Sequence, residues 1–423
     1  MSGPLSGLRG LELASERSAF AGKLLTGLGA EVVLVEPPAG DRTRTYEPFL
    51  ADEQGPGRSL YFWHYNTGKQ GLTLDLDTER GREIFRQLAS TADFLLESEP
   101  PGRLAALGLD YADLQPLNGR LVMISVTPFG RTGPRAGEAA TDLTILAAGG
   151  PAWMCGYDDH SLPPVRGGGN QGYQTASHFA VMSALVALLH RNRSGAGQHV
   201  DVNMHAAANV TTEAGSYTWL VSQEIVQRQA GRHAATSPTM PTTVRCADGR
   251  LVNTTVPPRT PAQFRVAYEW LESLGVAGQF ESAGVLRNAF ADESMNVFLA
   301  GEDPHIRTKM VAGRRALELI ASRLPAYEFF TGAQERGFQV AIVYAPEEAF
   351  EDPHFQARGF PVDVYHADLG RSFRYPGAPI RFGATAWEHP SAAPLPGEHT
   401  AELLARLGVG EAELRQLRAE GVV

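Results

Sequence analysis

Between Ala139 and Tyr157 the chain carries one acidic residue, Asp142, in the run Thr141-Asp142-Leu143-Thr144-Ile145-Leu146. A carboxylate entering an apolar run has the chemistry of a nucleophile, a general base or an acceptor for a ligand amide. It has equally that of a helix N-cap. His178 and His190 flank the apolar run Phe179 to Leu189 with no acid beside them, so both read as solvated or hydrogen-bonded helix ends rather than catalytic bases. Arg42 and Arg44 next to Asp41, and Lys69 after Asn66, are candidates for binding phosphate, and each taken alone reads as readily as a solvated surface charge. Gly167-Gly168-Gly169-Asn170-Gln171-Gly172 spells the G-x-G-x-x-G string of dinucleotide-binding folds, but it follows Pro163-Pro164 instead of a strand. The first turn, Ala14 to Ser18, has no glycine and so no pyrophosphate cradle. No Walker loop, H-E-x-x-H, C-x-x-C or G-x-S-x-G occurs, which removes the commonest signals of NTP hydrolysis, metal hydrolysis and serine-esterase chemistry. No metal site is expected.

The elements that must position these residues alternate. Leu8 to Leu13 reads as a strand, Ser18 to Leu28 as a helix closed by Gly29, and Glu31 to Val35 as a β-branched strand. A polar, aromatic and glycine-rich loop runs to about Asn66, then the strand Gly71 to Leu76. Glu79 to Ala89 places Ile84, Phe85 and Leu88 on one helical face, followed by strands at Asp93 to Leu96 and Leu121 to Val126. A buried helix ends near His190, His199 to Asn203 is a strand, and a long helical stretch reaches about Gln229. The spacing predicts an α/β fold with a mainly parallel sheet covered on both faces, a Rossmann-like lobe. Residues 1–225 form the first part of this large domain, 226–338 a smaller α+β domain opening with a hairpin from Arg245 to Val256 around Asp248-Gly249, and 339–423 the return to the large domain. Gln339 to Val343 reads as a late strand, and the tail as two amphipathic helices around Leu403 to Leu407 and Leu414 to Leu417.

With 423 residues, 43% hydrophobic and 20% charged, the chain is long enough for two lobes with separate cores. Its formal charge of -10 argues against nucleic acid or an anionic membrane surface as partner. Two cysteines, Cys155 and Cys246, exclude a disulfide scaffold and suit a reducing compartment. Met1 to Leu11 lacks the apolar core of an export signal, and Phe179 to Leu189 falls short of the roughly 20 residues that span a bilayer. A cytoplasmic location is expected.

Several segments then fall into a recognisable order: Leu5-Ser6-Gly7-Leu8-Arg9-Gly10-Leu11-Glu12-Leu13, Leu28-Gly29-Ala30-Glu31-Val32-Val33 with Glu36, Gly40-Asp41-x-x-Arg44, and Asn66-Thr67-Gly68-Lys69. Leu74-Asp75-Leu76, Pro101-Gly102, Gly130-x-x-Gly133-Pro134, Arg193-Ser194-Gly195-x-Gly197-Gln198-x-Val200-Asp201 and Gly397-Glu398-His399-Thr400 follow. Over nearly its whole length the chain resembles the family III CoA-transferases, the crotonobetainyl-CoA and formyl-CoA (CaiB/BaiF) type.

That resemblance implies a Rossmann-like large domain built from both chain ends, a smaller domain, and two chains threaded through each other as interlocked rings. It implies transfer of CoA from an acyl-CoA such as succinyl-CoA to a carboxylic acid, through an aspartate that forms a mixed anhydride and then an aspartyl-CoA thioester. Lys69, Arg17, Ser98, Arg44, Gly168 and Gly169 are the positions it places against CoA, and Asp142 the one near the pantetheine. The nucleophile's position, counted back from Arg193-Ser194-Gly195, is Tyr173, in Gly172-Tyr173-Gln174. Neither Tyr nor Gln forms an anhydride. The family's E-N-F-x-P-G has become Glu97-Ser98-Glu99-Pro100-Pro101-Gly102, where Glu99 repels phosphate. Its A-G-P turn is Arg17-Ser18-Ala19, its basic strand residue Leu34, and its often basic position after Glu36 is Pro37. The expectation is the non-catalytic subunit of a heteromeric enzyme of the succinyl-CoA:benzylsuccinate type, with a paralogous subunit, or a second copy of this chain, as partner. The alternatives are an autonomous transferase using Asp142, a non-enzymatic acyl-CoA-binding scaffold and, last, an α-methylacyl-CoA racemase, whose His and Asp positions hold Thr141 and Tyr173.

Overall fold

The computed structural model describes residues 2–254, 257–388 and 391–423. Its first elements are β1 (Arg9–Leu13), α1 (Ala19–Gly27), β2 (Glu31–Glu36), α2 (Leu60–Asn66), β3 (Gln70–Thr73), α3 (Glu79–Ala89) and β4 (Phe94–Glu97). Then come α4 (Arg103–Leu107), α5 (Tyr111–Leu114), β5 (Val122–Thr127), α6 (Asp142–Gly149), α7 (Pro151–Met154), α8 (Gln171–Ser194), β6 (Gln198–Asn203) and α9 (Met204–Val210).

The six strands pair in parallel in the order β3-β2-β1-β4-β5-β6. β1 lies between β2 and β4, with Leu11 opposite both Val33 and Leu95. Every residue of β5 is buried, as a parallel strand covered on both faces requires. One face packs Val32, Phe94, Ile124 and Val126 against Leu25 of α1 and Ala176, Ala180 and Ala184 of α8. The alanine spacing of three to four residues lays a narrow helix face on the sheet. On the other face Leu72, Leu95 and Met123 meet Ile84, Phe85 and Leu88 of α3 and Leu404 and Leu417 near the C-terminus.

The chain divides into two compact units, one comprising Met1–Ala152, Arg166–Glu213 and Asp352–Val423, the other Trp153–Val165 and Ala214–Glu351. The second unit contains a three-stranded antiparallel sheet, in which strands Thr243–Arg245 and Leu251–Asn253 form the expected hairpin and Ala341–Ile342 is the third strand. Val256 of that expected hairpin lies outside the described residues. Helices Pro261–Ser273, Ala283–Ala291, Pro304–Ala321 and Ala326–Glu335 surround Phe264, Leu271, Leu317 and Phe329.

Several local expectations differ. The loop to Asn66 ends in helix α2, started by Ser59, whose Oγ accepts the Phe62 N–H. The single long helix to Gln229 is instead α9, a second helix Glu213–Ser222 and a strand Gln227–Gln229. The break falls where the Thr211 and Thr212 hydroxyls donate back to the carbonyls of Ala208 and Asn209, taking acceptors that a continuing helix would use. The late strand, Ala341–Ile342, pairs inside the smaller sheet. Among the described residues no helix is long and apolar enough to cross a membrane.

Candidate active site

In an open parallel sheet of this order the crevice opens where neighbouring connections leave in opposite directions, at the carboxyl ends of β1 and β4. The turn from Leu13 into α1 and the turn after Glu97 therefore face this point. Arg17 lies in the first turn. Its Nη2 donates to the Ala140 carbonyl at 3.3 Å, whereas its Nε is buried without a partner. Ser18, at the N-cap of α1, makes no side-chain cap bond, and its fully buried Oγ is also unpartnered. Glu99 occupies the second turn, where burial raises its pKa and the charges of Arg103 and Arg17 oppose that rise.

Asp142 and Tyr173 come together here. The cap of α6 is Thr141, whose hydroxyl accepts the Thr144 N–H, rather than Asp142. Asp142, 5% exposed, turns its carboxylate towards the start of α8: Oδ1 accepts the Tyr173 backbone N–H at 3.0 Å, and Oδ2 accepts from Arg166 at 3.2 Å. The Tyr173 side chain is 4% exposed. Burial and then the Glu16 charge raise its phenol pKa, and the Arg17 guanidinium facing the hydroxyl opposes this.

The other residues expected to contact CoA lie as follows. Lys69 is fully buried, its Nζ donating to Glu12 Oε1 at 2.8 Å and to the Ala19 carbonyl and Asn66 Oδ1 at 2.9 Å. All three ammonium protons are thereby used inside the protein. Gly22 makes room for this pair, since a Cβ there would sit 1.7 Å from Glu12 Oε2. Arg44 is also buried. It grips Glu36 through Nε and Nη2, both at 2.7 Å, and donates to the carbonyls of Pro56 and Pro394. The Ser98 hydroxyl donates to the Val126 carbonyl at 2.6 Å. Gly168 and Gly169 are exposed in the loop leading into α8. No strand precedes that loop, so the G-x-G-x-x-G string lacks the context that gives it meaning. Leu34, where the family is basic, is a core residue. Arg42 is exposed 3.9 Å from Glu16, and His178 and His190 are exposed on α8.

Sequence reasoning missed a group of phenols beside Tyr173. Tyr61 and Tyr65, one turn apart on α2, have ring centroids 4.7 Å apart, and Tyr46 lies 5.2 Å from Tyr61. The Tyr61 hydroxyl accepts from Asn170 at 2.7 Å and the Tyr65 hydroxyl from Gln174 at 3.1 Å, tying α2 to the start of α8. Burial raises the pKa of all three phenols. The i, i+4 spacing of Tyr61 and Tyr65 was the available signal.

The crevice of this doubly wound sheet lies against the start of α8, and comparison with known proteins identifies the family. The chain belongs to CoA-transferase family III, whose sequence model matches residues 5–400. It is 34% identical over 427 residues to the succinyl-CoA:(R)-benzylsuccinate CoA-transferase subunit BbsE of Thauera aromatica, covering 100% of this chain and 99% of that one. It is 30% identical over 410 residues to the succinate–glutarate CoA-transferase of Agrobacterium fabrum, covering 96% of each. The crystal structure of a CAIB/BAIF family protein from Brucella suis superposes with a TM-score of 0.78 at 27% identity, covering 96% of this chain and 100% of that one.

Proposed function

We propose that this chain is the non-catalytic subunit of a heteromeric family III CoA-transferase moving CoA from succinyl-CoA to a carboxylic acid. A paralogous chain in an interlocked dimer supplies the aspartate nucleophile. The observation that carries this reading is the start of α8, where a buried, neutral phenol stands at Tyr173. Displacing CoA from a thioester and regenerating it through an anhydride needs a carboxylate, and a phenol held neutral by burial does not provide one. The internal pairing of Lys69 and Arg44, and Glu99 in the crevice, further support weak or absent CoA binding by this chain. The similarity to a protein named as a subunit favours the heteromer, with CoA thioester and acid as substrates in the cytoplasm.

The exposed face of α8 offers material for the dimer contact. Met182, Val186 and Leu189 follow helical spacing and are 54%, 62% and 52% exposed. An uncovered apolar stripe of this kind fits a partner chain.

A second reading, autonomous transfer by Asp142, has one observation in its favour: the carboxylate lies one hydrogen bond from the Tyr173 backbone, beside the usual nucleophile position. Native mass spectrometry of the protein from its host, followed by acyl-CoA exchange assays, separates the two. A complex with an aspartate-bearing paralogue, active where the single chain is silent, is expected; ordinary exchange by the purified chain alone would sink the subunit reading.

A further inference from the structure

Among the described residues Arg17 enters no ion pair; its Nη2 meets a carbonyl and its Nε nothing. Two nearby carboxylates are otherwise engaged, Asp142 with Arg166 at 3.2 Å and Glu16 with Arg42 at 3.9 Å, and Glu99, whose pKa burial raises, makes no ion pair with Arg17 among the described residues. A buried guanidinium nitrogen with no acceptor is costly, and the shape of its fork matches a carboxylate. The Tyr173 hydroxyl faces the guanidinium, and Ser18, the next residue and the N-cap of the nine-residue helix α1, has a fully buried, unpartnered Oγ. The helix dipole adds to the attraction for an anion.

We propose that Arg17, the Tyr173 hydroxyl and Ser18 form a binding site for one carboxylate of a free dicarboxylic acid. The chain thus retains an acid at the place where its relatives react with one. The site binds without chemistry: no bond forms, because the residue at the nucleophile position only donates a hydrogen bond. A carboxylate suits it better than a phosphate, since Glu99 and Glu16 border the site and repel a dianion more than a monoanion. The choice of a dicarboxylic acid rests on the proposed function, through the succinate, glutarate and benzylsuccinate in the names of the relatives.

Isothermal titration of the purified full-length chain with succinate and with 2-benzylsuccinate tests this. One acid per chain is expected. Arg17→Gln should weaken binding by roughly tenfold to a hundredfold, as loss of a charge-assisted contact does, and Tyr173→Phe by about threefold to tenfold, with unchanged circular dichroism. If Arg17→Gln fails to fold, Tyr173→Phe decides alone. Absence of acid binding, or wild-type affinity in the folded variants, overturns the site. So does an Arg17→Gln variant that loses CoA binding but keeps the acid, which would assign Arg17 to a CoA phosphate. A single chain that exchanges CoA would sink the subunit reading and leave the titration valid, whereas an acid-silent chain in an active two-subunit complex sinks this site alone.

Discussion

The carboxylate of Asp142 closes the first turn of α8 from outside, its Oδ1 accepting the Tyr173 backbone N–H at 3.0 Å. Asn170, the residue placed to cap that helix, makes no side-chain cap bond. Asp142 is therefore a capping residue supplied by another element, and it fixes where Tyr173 stands. Asp142→Ala should lower unfolding stability by about 1–2 kcal/mol, the worth of a lost cap, and Asp142→Asn by less, because its amide oxygen still accepts. Urea denaturation measures both. With the catalytic partner present, Asp142→Asn should keep exchange within about threefold of wild type, well under the loss expected on removing a nucleophile. A folded Asp142→Asn complex with no activity would favour Asp142 as the nucleophile.

Lys69 and Glu12 form a pair that is 0% exposed on both sides. Burial raises the Glu12 pKa to about 7, and Lys69 opposes the rise. Removing one partner leaves the other buried alone, so Lys69→Met should cost about 3–5 kcal/mol, while Lys69→Met with Glu12→Gln should recover most of it. A phosphate-binding Lys69 would behave oppositely, with stability unchanged and acyl-CoA affinity reduced.

The regular part of the fold was legible because its elements are long enough to show a period. Glu79 to Ala89 matches α3 residue for residue, and β1 and β2 lie within one residue of their expected limits. The strand Gln227–Gln229, only three residues long, carries no period and was read as the end of a helix. Counting along the sequence singles out Tyr173, but it does not give that residue's contacts. Lys69 finds Glu12 at a separation of 57 residues and Asp142 finds Tyr173 at 31. Nothing local in the sequence says that a lysine will be buried with its counter-ion, or that a carboxylate will cap another helix.

Glu97, at the end of β4, carries a pH dependence of stability. Burial raises its carboxyl pKa from 4.5 to about 7, and hydrogen bonds from Ser125 and the Glu99 N–H oppose this. The folded protein keeps a proton that the unfolded chain releases, so the stabilisation is full below pH 4.5 and lost as the pH rises to about 7. Glu97→Gln cannot ionise and should be more stable than wild type at pH 8, by on the order of 3 kcal/mol at most. At pH 4 the difference should vanish. Thermal melts at the two pH values check this, and an equal effect at both would refute the assignment.

The two faces of α8 make different demands. Ala176, Ala180 and Ala184 are buried against the sheet, whereas Met182, Val186 and Leu189 point the other way and are exposed. Three large apolar side chains in register on a helix invite a partner, because covering them removes apolar surface from water. Val186→Asp places a charge in the middle of that stripe. A charge buried there without a counter-ion opposes association strongly, yet it is solvated in the separate chain, where an exposed substitution shifts stability by no more than about 0.5 kcal/mol. Native mass spectrometry should therefore show the dimer lost in Val186→Asp while the melting temperature of the chain hardly moves. Dimers that persist at wild-type strength would mean that the stripe is not the contact.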